Sequence, residues 1–347
     1  MSSILVTGGC GFIGSHTCIE LLRKGIDVCI VDSLINSSES IITKIIDIQK
    51  LNNSKNKGQL FFRKGDIRNK KFLKNVFNEF KEKNISFASV IHFAALKSVE
   101  DSSRFPLKYW DVNINAIVNL LEIMCDFECY SLVQSSSATI YEPKLNEKLD
   151  EKSYKNPINP YGNTKLTNEK ILEDLFASNT KKWKIVNLRY FNPVGAHDSG
   201  LLGENPLNKP TNLFPIITKV AKKINEELFI YGNNWPTRDG TCVRDFIHVM
   251  DLAEAHIAAL DYISNNPSQI ISLNIGTGKG TSVLEIVNKF IEVNGIDIPY
   301  RFVGKRMGDA PYVVADNSLA LELLEWIPKR NIEDMCRDSW KWVNSEF

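Results

Sequence analysis

The sequence predicts an α/β fold: a doubly wound parallel sheet followed by a smaller C-terminal α/β domain. Short apolar runs, the first at Ser3–Thr7, alternate with longer helical patterns through the first 190 residues. Strands that alternate with helices in this way call for parallel pairing and right-handed crossovers. Beyond residue 190 the composition becomes richer in Gly, Pro and Trp and the elements become shorter.

The elements are expected in the following order. Strands are predicted at Ser3–Thr7, Asp27–Val31, Leu60–Arg63, Ser89–His92, Ser131–Gln134 and Lys184–Arg189, and helices follow Gly14 and cover Ser38–Leu51, Asn69–Lys83, Trp110–Phe127 and Tyr161–Ala177. Asn52–Gly58 is predicted as a polar surface loop. Further along, Val243–Leu260 reads as a strand leading into a helix capped by Asp251, and Asp316–Trp326 as a capped helix that closes the fold.

Composition excludes several classes of protein. The 347 residues include 42 Lys and Arg against 41 Asp and Glu, so bulk charge favours neither nucleic acid nor an anionic membrane as partner. No apolar run approaches a membrane span, and the chain enters its first strand with no room for a signal peptide, so a cytoplasmic protein is expected. The seven cysteines form no C-x-x-C pair, which indicates buried free thiols and no metal site.

The glycine-rich turn Gly8–Gly14 stands between the first strand and the first helix, and Asp32 closes the second strand. In a Rossmann-like fold Gly8 makes the tight turn, Gly11 admits a pyrophosphate, and Gly14 lets the helix pack on the strand. The helix N-terminus then faces the phosphates. Asp32 can accept hydrogen bonds from a ribose diol and would repel a 2′-phosphate, so the sequence predicts NAD rather than NADP.

Asp66 and the apolar stripe on the helix over 110–127 each have more than one interpretation. Asp66 can bond the adenine amino group or cap the helix that follows. The small Ala94 allows close cofactor approach. The apolar stripe on the helix over 110–127 is typical of core or of a subunit interface. His248 is interpreted as a structural histidine.

The domain boundary is placed near residue 190, with residues 1–190 binding NAD, 191–347 binding substrate, and a segment near 243–260 able to pack back on the first domain.

Tyr161 and Lys165 lie four residues apart, one turn apart on the same helical face. A phenol titrates near pH 10 in water, so it needs a nearby positive charge to act as a base near neutrality. The ammonium of Lys165 is expected to lower the pKa of Tyr161 for the proton transfer that accompanies hydride removal from an alcohol. Ser137, after the fifth strand, can orient that alcohol.

A serine ahead of Y-x-x-x-K is the signature of the short-chain dehydrogenase/reductase superfamily. The number of residues between Ser137 and Tyr161 is similar to that found in the extended branch of this superfamily. Within that branch the chain closely resembles the UDP-glucose (UDP-galactose) 4-epimerases from Ile4 to about Trp342. The matching motifs are V-T-G-G-x-G-F-I-G-S-H-T near the start, Ile91–Lys97, Ser135–Thr139, Leu188–His197, Asp239–Val249 and Met307–Asp309. Departures include Cys10 for Ser, Glu142-Pro143 after Tyr141, and Glu100 for Gly.

The resemblance implies NAD-dependent interconversion of UDP-glucose and UDP-galactose in a homodimer. Tyr161 would take the proton of the sugar 4-hydroxyl, Ser137 would orient that hydroxyl, and Lys165 would hold the nicotinamide ribose. The residues expected at the cofactor are Gly8, Gly11, Phe12, Ile13, Gly14, Asp32, Asp66, Ile67, Phe93, Ala94, Lys97, Asn113, Ser135, Tyr161, Lys165 and Tyr190. Those expected at the substrate are Lys97, Ser137, Tyr161, Asn192, Asn212, Leu213, Tyr231, Arg244, Arg306, Asp309 and Val313.

Two rival functions share this fold. A nucleotide-sugar 4,6-dehydratase needs an acid–base carboxylate beside the serine, whereas Ser137 is followed by Ala138 and Thr139. A catalytically silent NAD-binding scaffold would have lost the Tyr or the Lys. For substrate range, the resemblance implies that the residue seven after Arg306 lines the sugar pocket, which is Val313. A valine there leaves space for an acetamido group, so UDP-N-acetylglucosamine and UDP-N-acetylgalactosamine are possible further substrates. The alternative is that Val313 only packs in the core.

Overall fold

Strands and helices alternate through most of the chain in the computed structural model, which describes residues 2–51, 57–207, 210–306 and 308–346. The strands are β1 Ser2–Thr7, β2 Asp27–Asp32, β3 Leu60–Lys64, β4 Ser86–His92, β5 Ser131–Ser137, β6 Lys184–Tyr190, β7 Asn192–Val194, β8 Leu228–Tyr231, β9 Val243–His248, β10 Gln269–Ile275, β11 Gly280–Ser282, β12 Tyr300–Val303 and β13 Tyr312–Val313. The helices are α1 Phe12–Arg23, α2 Ser40–Leu51, α3 Lys70–Glu82, α4 Val99–Arg104, α5 Pro106–Trp110, α6 Ala116–Asp126, α7 Pro160–Ser178, α8 Leu213–Ala221, α9 Val249–Asn265, α10 Val283–Asn294, α11 Ser318–Leu324 and α12 Ile332–Glu346.

The central sheet has seven strands in the order β10-β6-β5-β4-β1-β2-β3. Parallel ladders join β3, β2, β1, β4 and β5. The chain builds outward from β1 to β3 on one side and then from β4 to β6 on the other, so the order reverses between β1 and β4. Such a reversal opens a crevice beyond the carboxyl ends of the strands, where ligands bind. The predicted doubly wound α/β fold is confirmed.

The residues gather into two compact units. The first comprises Met1–Ile140, Lys155–Arg189 and Ala253–Leu273, and the second comprises Tyr141–Tyr154, Tyr190–Leu252 and Asn274–Phe347. The sequence-based division at 190/191 stays a prediction about domains, since the units are interleaved in sequence: a short stretch before residue 155 groups with the second unit, and most of α9 with β10 groups with the first.

Each unit has its own apolar core. In the first unit, Leu73 and Phe77 of α3 and Ile117 and Leu121 of α6 pack with Leu132 of the sheet. In the second unit, β9 pairs with β7 and β13 in parallel and with β11 in antiparallel fashion, while β8 and β12 form a separate parallel pair. Its core is built from residues of α8, α10 and α12, including Phe214, Ile217, Phe290 and Cys336. In the described ranges no helix is both long and apolar enough to cross a bilayer.

Four sequence-based expectations need correction or completion. The single helix expected over 110–127 is α5, a π-helical turn at Asp111–Asn115, and then α6. Asp251 does not cap a helix: it lies inside the first turn of α9, where its carboxylate accepts bonds from the backbone and side chain of Arg330 at 2.9 and 2.5 Å. The helix predicted at Asp316–Trp326 is Ser318–Leu324, and α12 follows it. Of the polar loop predicted at Asn52–Gly58, positions 52–56 lie outside the described residues. Met307, in the predicted motif Met307–Asp309, lies outside them as well.

Candidate active site

The glycine turn holds β1, α1 and the end of β4 closer together than side chains would allow. Gly8 has φ +72°, and a Cβ atom there would lie 2.6 Å from the backbone nitrogen of Ala94. On Gly14 a Cβ atom would lie 2.5 Å from the carbonyl oxygen of Gly8. Both glycines are therefore required by the fold itself, as the turn and packing roles predicted for them imply.

Gly11 differs from these two because little protein surrounds it. Its Cβ would meet only the carbonyl oxygen of Gly8, at 3.2 Å, and its φ of −75° suits any residue. It occupies the N-cap of α1 and has no side chain with which to bond the first-turn amides. Those amides, which include Phe12, Ile13 and Gly14, point toward whatever lies beyond the turn, and the helix dipole favours an anion there.

Asp32 joins the end of β2 to the glycine turn. Its Oδ2 accepts a hydrogen bond from the backbone N–H of Cys10 at 3.0 Å. Its Oδ1 accepts one from the backbone N–H of Leu34 at 2.8 Å and one from the hydroxyl of Ser37 at 3.0 Å. Carboxylate oxygens can each accept two hydrogen bonds, so Oδ2 keeps capacity for a ribose hydroxyl. The bonds fix the carboxylate in one orientation. The turn, the uncapped helix and this oriented carboxylate fit a dinucleotide.

Tyr161 is placed by the start of α7. The Asn159 side chain caps the helix by accepting the Gly162 N–H at 2.8 Å, and Pro160 occupies the first turn. A Cβ on Gly162 would lie 2.6 Å from the carbonyl oxygen of Thr139, so this glycine lets α7 approach the segment after β5. The approach brings the phenol of Tyr161 close enough to the Ser137 side chain for that hydroxyl to lower the pKa of the phenol. Ser137 Oγ also accepts bonds from the backbone N–H and hydroxyl of Thr139.

Lys165 is almost entirely buried one turn further along α7. Its ammonium donates to the carbonyl oxygen of Ser135 at 2.8 Å and lies 5.9 Å from the ring centre of Tyr161. The Ser135 carbonyl accepts a second bond, from the Gln134 side chain at 3.1 Å. Ser137, Tyr161 and Lys165 are thus brought together at the end of β5, as the sequence predicts.

The proton affinities of these groups differ from the sequence-based expectation. Burial raises the pKa of Tyr161 to about 12, although the Ser137 side chain acts in the opposite direction and lowers it. Burial also lowers the pKa of Lys165 to about 8, while the carboxylate of Glu169 works against that fall. The sequence-based prediction is that Lys165, together with the positive nicotinamide ring of bound NAD, lowers the pKa of Tyr161; in the protein alone burial is the largest influence and raises it. A further positive charge beside the phenol is needed to lower its pKa.

Asn113 lies in the π-helical turn and connects three segments. Its Oδ1 accepts the Leu96 N–H at 2.8 Å, and its Nδ2 donates to the Leu96 carbonyl and the Thr164 hydroxyl at 3.1 and 3.0 Å. A π-turn inserts one extra residue into a helix and often marks a functional position. Here it aims a buried amide at the loop after β4, immediately before the exposed Lys97. Asn113 therefore fixes that loop relative to α7.

The other residues predicted at the cofactor are more scattered. Ile67 is buried in the core of the first unit, and the Phe93 ring lies 4.7 Å from the ring of His256. Asp66 pairs with Arg68, whose hydrogen bonds lower the pKa of that carboxyl, and Asn69 rather than Asp66 caps α3. Tyr190 is buried and begins a stretch of the second unit.

The predicted substrate residues of the second unit include one charged cluster. A single carboxylate, Asp309, lies 3.1 Å from a guanidinium nitrogen of Arg306 and 3.8 Å from one of Arg244. The Arg306 guanidinium sits over the Tyr231 ring, 5.2 Å from its centre, and Arg244 donates to the Ala310 carbonyl at 2.7 Å. Two arginines that share one carboxylate leave one net positive charge, which suits a diphosphate.

Val313 lies next to this cluster in register. β13 pairs with β9 so that Tyr312 is opposite Val243 and Val313 is opposite Arg244. Side chains of Val243, Tyr312 and Val314 all converge on the position of Gly280, so they share one face. Since successive residues alternate between faces, Val313 and Arg244 lie on the opposite face together.

The two predicted asparagines are held by other residues of the second unit. Asn192 on β7 donates to the Asp245 carbonyl at 3.1 Å. Asn212, which directly precedes Leu213 at the start of α8, donates to Glu204 at 3.0 Å. His248 is buried with Asp338 as its partner at 3.3 Å, in keeping with a structural histidine. Among the described residues, no three His, Cys, Asp or Glu side chains are grouped so that they could hold a metal ion.

Sequence reasoning missed a buried polar group next to Ser137. Glu169 forms a two-bond ion pair with Arg189 of β6 and accepts a hydrogen bond from Ser136. The available signal was spacing, since Glu169 stands four residues after Lys165 as Lys165 stands four after Tyr161. The partner strand could not be read from that spacing.

Known proteins match this chain over almost its whole length. A sequence model of the family described as GDP-mannose 4,6 dehydratase matches residues 5–339. A curated relative, UDP-glucose 4-epimerase 1 of Oryza sativa subsp. japonica, is 44% identical over 346 residues, which cover 99% of this chain and 95% of the relative. The chain belongs to the UDP-glucose 4-epimerase family.

Solved structures of the epimerase family share the fold. The UDP-glucose-4-epimerase of Stenotrophomonas maltophila, with bound NAD and formylated UDP-arabinopyranose, has a TM-score of 0.93 at 43% identity, covering 99% of this chain and 98% of that one. The enzyme of Bifidobacterium longum, in complex with NAD+ and UDP, has a TM-score of 0.91 at 39% identity with the same coverage. The family resemblance expected from the motifs is confirmed.

Proposed function

We propose that this protein is a UDP-glucose 4-epimerase, which interconverts UDP-glucose and UDP-galactose by transient oxidation at the sugar 4-carbon. The 4-keto sugar rotates within the site and is then reduced on its other face. Membership of the epimerase family supports this proposal, and the observation that carries it is the arrangement of Ser137, Tyr161 and Lys165 at the end of β5.

Each of the three side chains has one part in the reaction. Tyr161 takes the proton of the 4-hydroxyl in one direction and returns it in the other. Ser137, whose side chain lowers the pKa of the phenol, orients the hydroxyl that is to react. Lys165 supplies positive charge on the same helical face and is anchored by the Ser135 carbonyl. When bound, NAD supplies a reversible hydride acceptor at this site.

NAD is the proposed cofactor because of the geometry of the glycine turn and Asp32. The N-terminus of α1 suits the pyrophosphate, and the fixed carboxylate of Asp32 suits a ribose diol but repels a 2′-phosphate. Because the hydride returns to the same molecule that lost it, the reaction needs no cofactor exchange. The purified protein should therefore release NAD on acid treatment without any having been added.

Arg244 and Arg306 are proposed to bind the diphosphate of the substrate. Their shared partner, Asp309, leaves one positive charge for the ligand. The proposed cycle needs the UDP part held firmly and the sugar held loosely, because the 4-keto sugar must present both of its faces. Guanidinium groups that make bidentate hydrogen bonds to the diphosphate hold the UDP part firmly without touching the sugar.

The direct test is incubation of the purified protein with UDP-galactose, followed by chromatographic separation of UDP-glucose. Tyr161→Phe serves as the matched control, because it removes only the phenol oxygen. Appearance of UDP-glucose with wild type but not with the variant is expected. If wild type forms no UDP-glucose while carrying bound NAD, the chain is a silent scaffold and the proposal fails.

A 4,6-dehydratase reaction is tested in the same incubation. The matched family model bears that description, but the 3₁₀ turn after β5 contains Ala138, Thr139 and Ile140, none of which can act as a carboxylic acid. Epimers have the same mass, whereas dehydration removes one water. Mass spectrometry of the product therefore distinguishes the two reactions, and a product lighter by water would overturn the epimerase proposal.

The proposed substrate range includes the N-acetylated pair, UDP-N-acetylglucosamine and UDP-N-acetylgalactosamine. The support is the shared face of Val313 and Arg244, since a residue beside the diphosphate-binding arginine is well placed to limit the sugar. Tyr312 faces the Gly280 side and does not occupy that space. A valine leaves room that a tyrosine ring would fill.

A homodimer in the cytoplasm is the proposed working form. In the first unit, α4 to α6 present the apolar side chains of Phe105, Leu107, Trp110 and Val118 to solvent, with Leu107 82% exposed. Exposed apolar groups in sequence proximity are typical of subunit interfaces. The seven cysteines are free, which suits a reducing compartment. Light scattering of wild type and Leu107→Glu tests the dimer; equal masses for the two would contradict this interface.

A further inference from the structure

A buried ion pair lies directly behind the end of β5. Arg189 Nε donates to Glu169 Oε1 at 2.9 Å, and Arg189 Nη2 donates to Glu169 Oε2 at 2.7 Å. Each of the two side chains is only 2% exposed. The Ser136 hydroxyl donates to the same Glu169 Oε1 at 2.5 Å. Helix α7 is thereby bonded to two neighbouring strands, β5 and β6, through one carboxylate.

The attachment points of this pair are adjacent to the reacting groups. Ser136 stands between Ser135, whose carbonyl holds the Lys165 ammonium, and Ser137, whose side chain acts on the Tyr161 phenol. On α7, Tyr161, Lys165 and Glu169 follow at intervals of four residues, so they form one row along the helix. The strand residues and the helix residues of the site are therefore joined a second time by Ser136 and Glu169.

We propose that Glu169 is a positioning residue for the reaction, which holds the Lys165 ammonium both in place and in its charged form. The inference rests on the proposed epimerase function for its catalytic consequence. Its physical content, the state of Lys165, does not depend on that function. Arg189 balances the charge of Glu169 and fixes the direction of its carboxylate.

The electrostatic surroundings of Lys165 agree with this role. Lys165 faces Tyr161 and Glu169 on α7, the Ser135 carbonyl and hydroxyl on β5, and His92 on β4. His92 is neutral, since burial and then the charge of Lys165 lower its pKa to about 3, and it bonds Thr7 at 2.6 Å. The carboxylate of Glu169 works against the effect of burial on the pKa of Lys165.

Stability alone is a weak reason for such a pair. Desolvation of two buried charges offsets most of their attraction, and apolar residues of similar volume often replace a buried ion pair without loss of stability. Removing one partner only is far more harmful, because the other charge is left buried and unpaired. The role of the pair must therefore be tested by replacing both members together.

The test compares the wild-type holoenzyme with Glu169→Leu/Arg189→Met. Lysine ε-carbons labelled with ¹³C report the titration of Lys165 by NMR, and the signal is assigned with Lys165→Met. We expect the double variant to fold and retain NAD, and the midpoint of Lys165, about 8 in the structure, to fall by roughly one pH unit. The ammonium fraction at pH 8 then drops from about one half to about one tenth.

The catalytic consequence follows from that change. The kcat for UDP-galactose at pH 8 should fall about fivefold, and the alkaline limb of the kcat profile should move by roughly the same pH interval as the NMR midpoint. KM should stay within about twofold, because the Glu169 side chain is buried among protein groups and is not exposed to a ligand. Glu169→Asp, which restores the charge with one methylene less, should return the limb toward its wild-type position.

Two controls make the outcome decisive. Arg63→Met/Glu79→Leu removes another ion pair between a strand and a helix of the first unit, on β3 and α3, and should leave the Lys165 titration unchanged. If the apolar pair does not fold, Glu169→Gln/Arg189→Gln removes the charges while keeping hydrogen-bonding groups. An unchanged Lys165 midpoint in a folded double variant overturns the inference. An inactive wild type whose Lys165 midpoint still responds to Glu169 would refute the epimerase proposal and leave the inference standing.

Discussion

Two alanine substitutions in the glycine turn should separate folding from cofactor binding. A Cβ at position 14 would lie 2.5 Å from the carbonyl oxygen of Gly8 and 2.9 Å from the Cα of Gly9. These are backbone atoms, which cannot rotate away, so Gly14→Ala must push α1 off the end of β1. Gly11→Ala meets one oxygen at 3.2 Å and has an ordinary φ, so the fold can accept it.

The magnitudes follow from these distances. Replacing glycine by alanine in a helix is favourable by up to about 1 kcal/mol, while overpacking costs about 1–3 kcal/mol. Overlap with two fixed backbone atoms places Gly14→Ala at the upper end, for a net loss of about 2 kcal/mol. An unfolding entropy of about 2.1 cal/mol/K per residue makes 1 kcal/mol equivalent to about 1.4 °C in a chain of 347 residues, so the thermal midpoint should fall by about 3 °C. Gly11→Ala should shift it by less than about 1 °C.

The assay is thermal unfolding of cofactor-depleted protein, because bound NAD would stabilise each variant by a different amount. NAD released by acid from the protein as purified is measured in parallel. We expect Gly14→Ala to unfold at lower temperature, and Gly11→Ala to unfold like wild type yet carry much less NAD. A Gly11→Ala protein that retained full NAD, or a Gly14→Ala protein with the wild-type midpoint, would refute the division between the two glycines.

Three other changes test the site. Tyr161→Phe should fold normally but lose at least about a hundredfold in kcat, because the substitution removes the oxygen that is proposed to take the proton; near-normal turnover would show that the base is elsewhere. Arg244→Gln or Arg306→Gln should raise KM for UDP-galactose roughly tenfold or more with little change in kcat, since the diphosphate is bound equally in the ground and transition states. A kcat defect at unchanged KM would contradict that placement. Wild type should turn over both UDP-hexose and UDP-N-acetylhexosamine pairs, and Val313→Tyr only the hexose pair, as measured by product chromatography. Wild type inactive on UDP-N-acetylglucosamine would end the proposal for the acetylated pair.

Local sequence determined the first half of the fold and the central part of the site. The turn at Gly8–Gly14 and the acid at Asp32 depend on backbone conformation and on neighbours within one strand–helix–strand unit, so their spacing alone predicts them. Tyr161 and Lys165 are brought together by helical periodicity, which needs no information from elsewhere in the chain. Motifs such as Leu188–His197 added the family and, through it, the expected activity.

The tertiary structure decided everything that depends on which distant segments meet. The helix over 110–127 contains a π-turn, and Asn113 in that turn bonds Leu96 and Thr164. The periodicity of the helix alone reveals neither contact. Register, rather than alternation alone, places Val313 beside Arg244.

Proton affinities belong to the same class. The spacing of Tyr161 and Lys165 predicts a lowered phenol pKa, yet burial raises it to about 12. Desolvation depends on all the atoms packed around a group, and those atoms come from several strands and helices. The spacing of Glu169 was visible in the sequence, but only the packing of α7 against β6 shows that Arg189 is its partner.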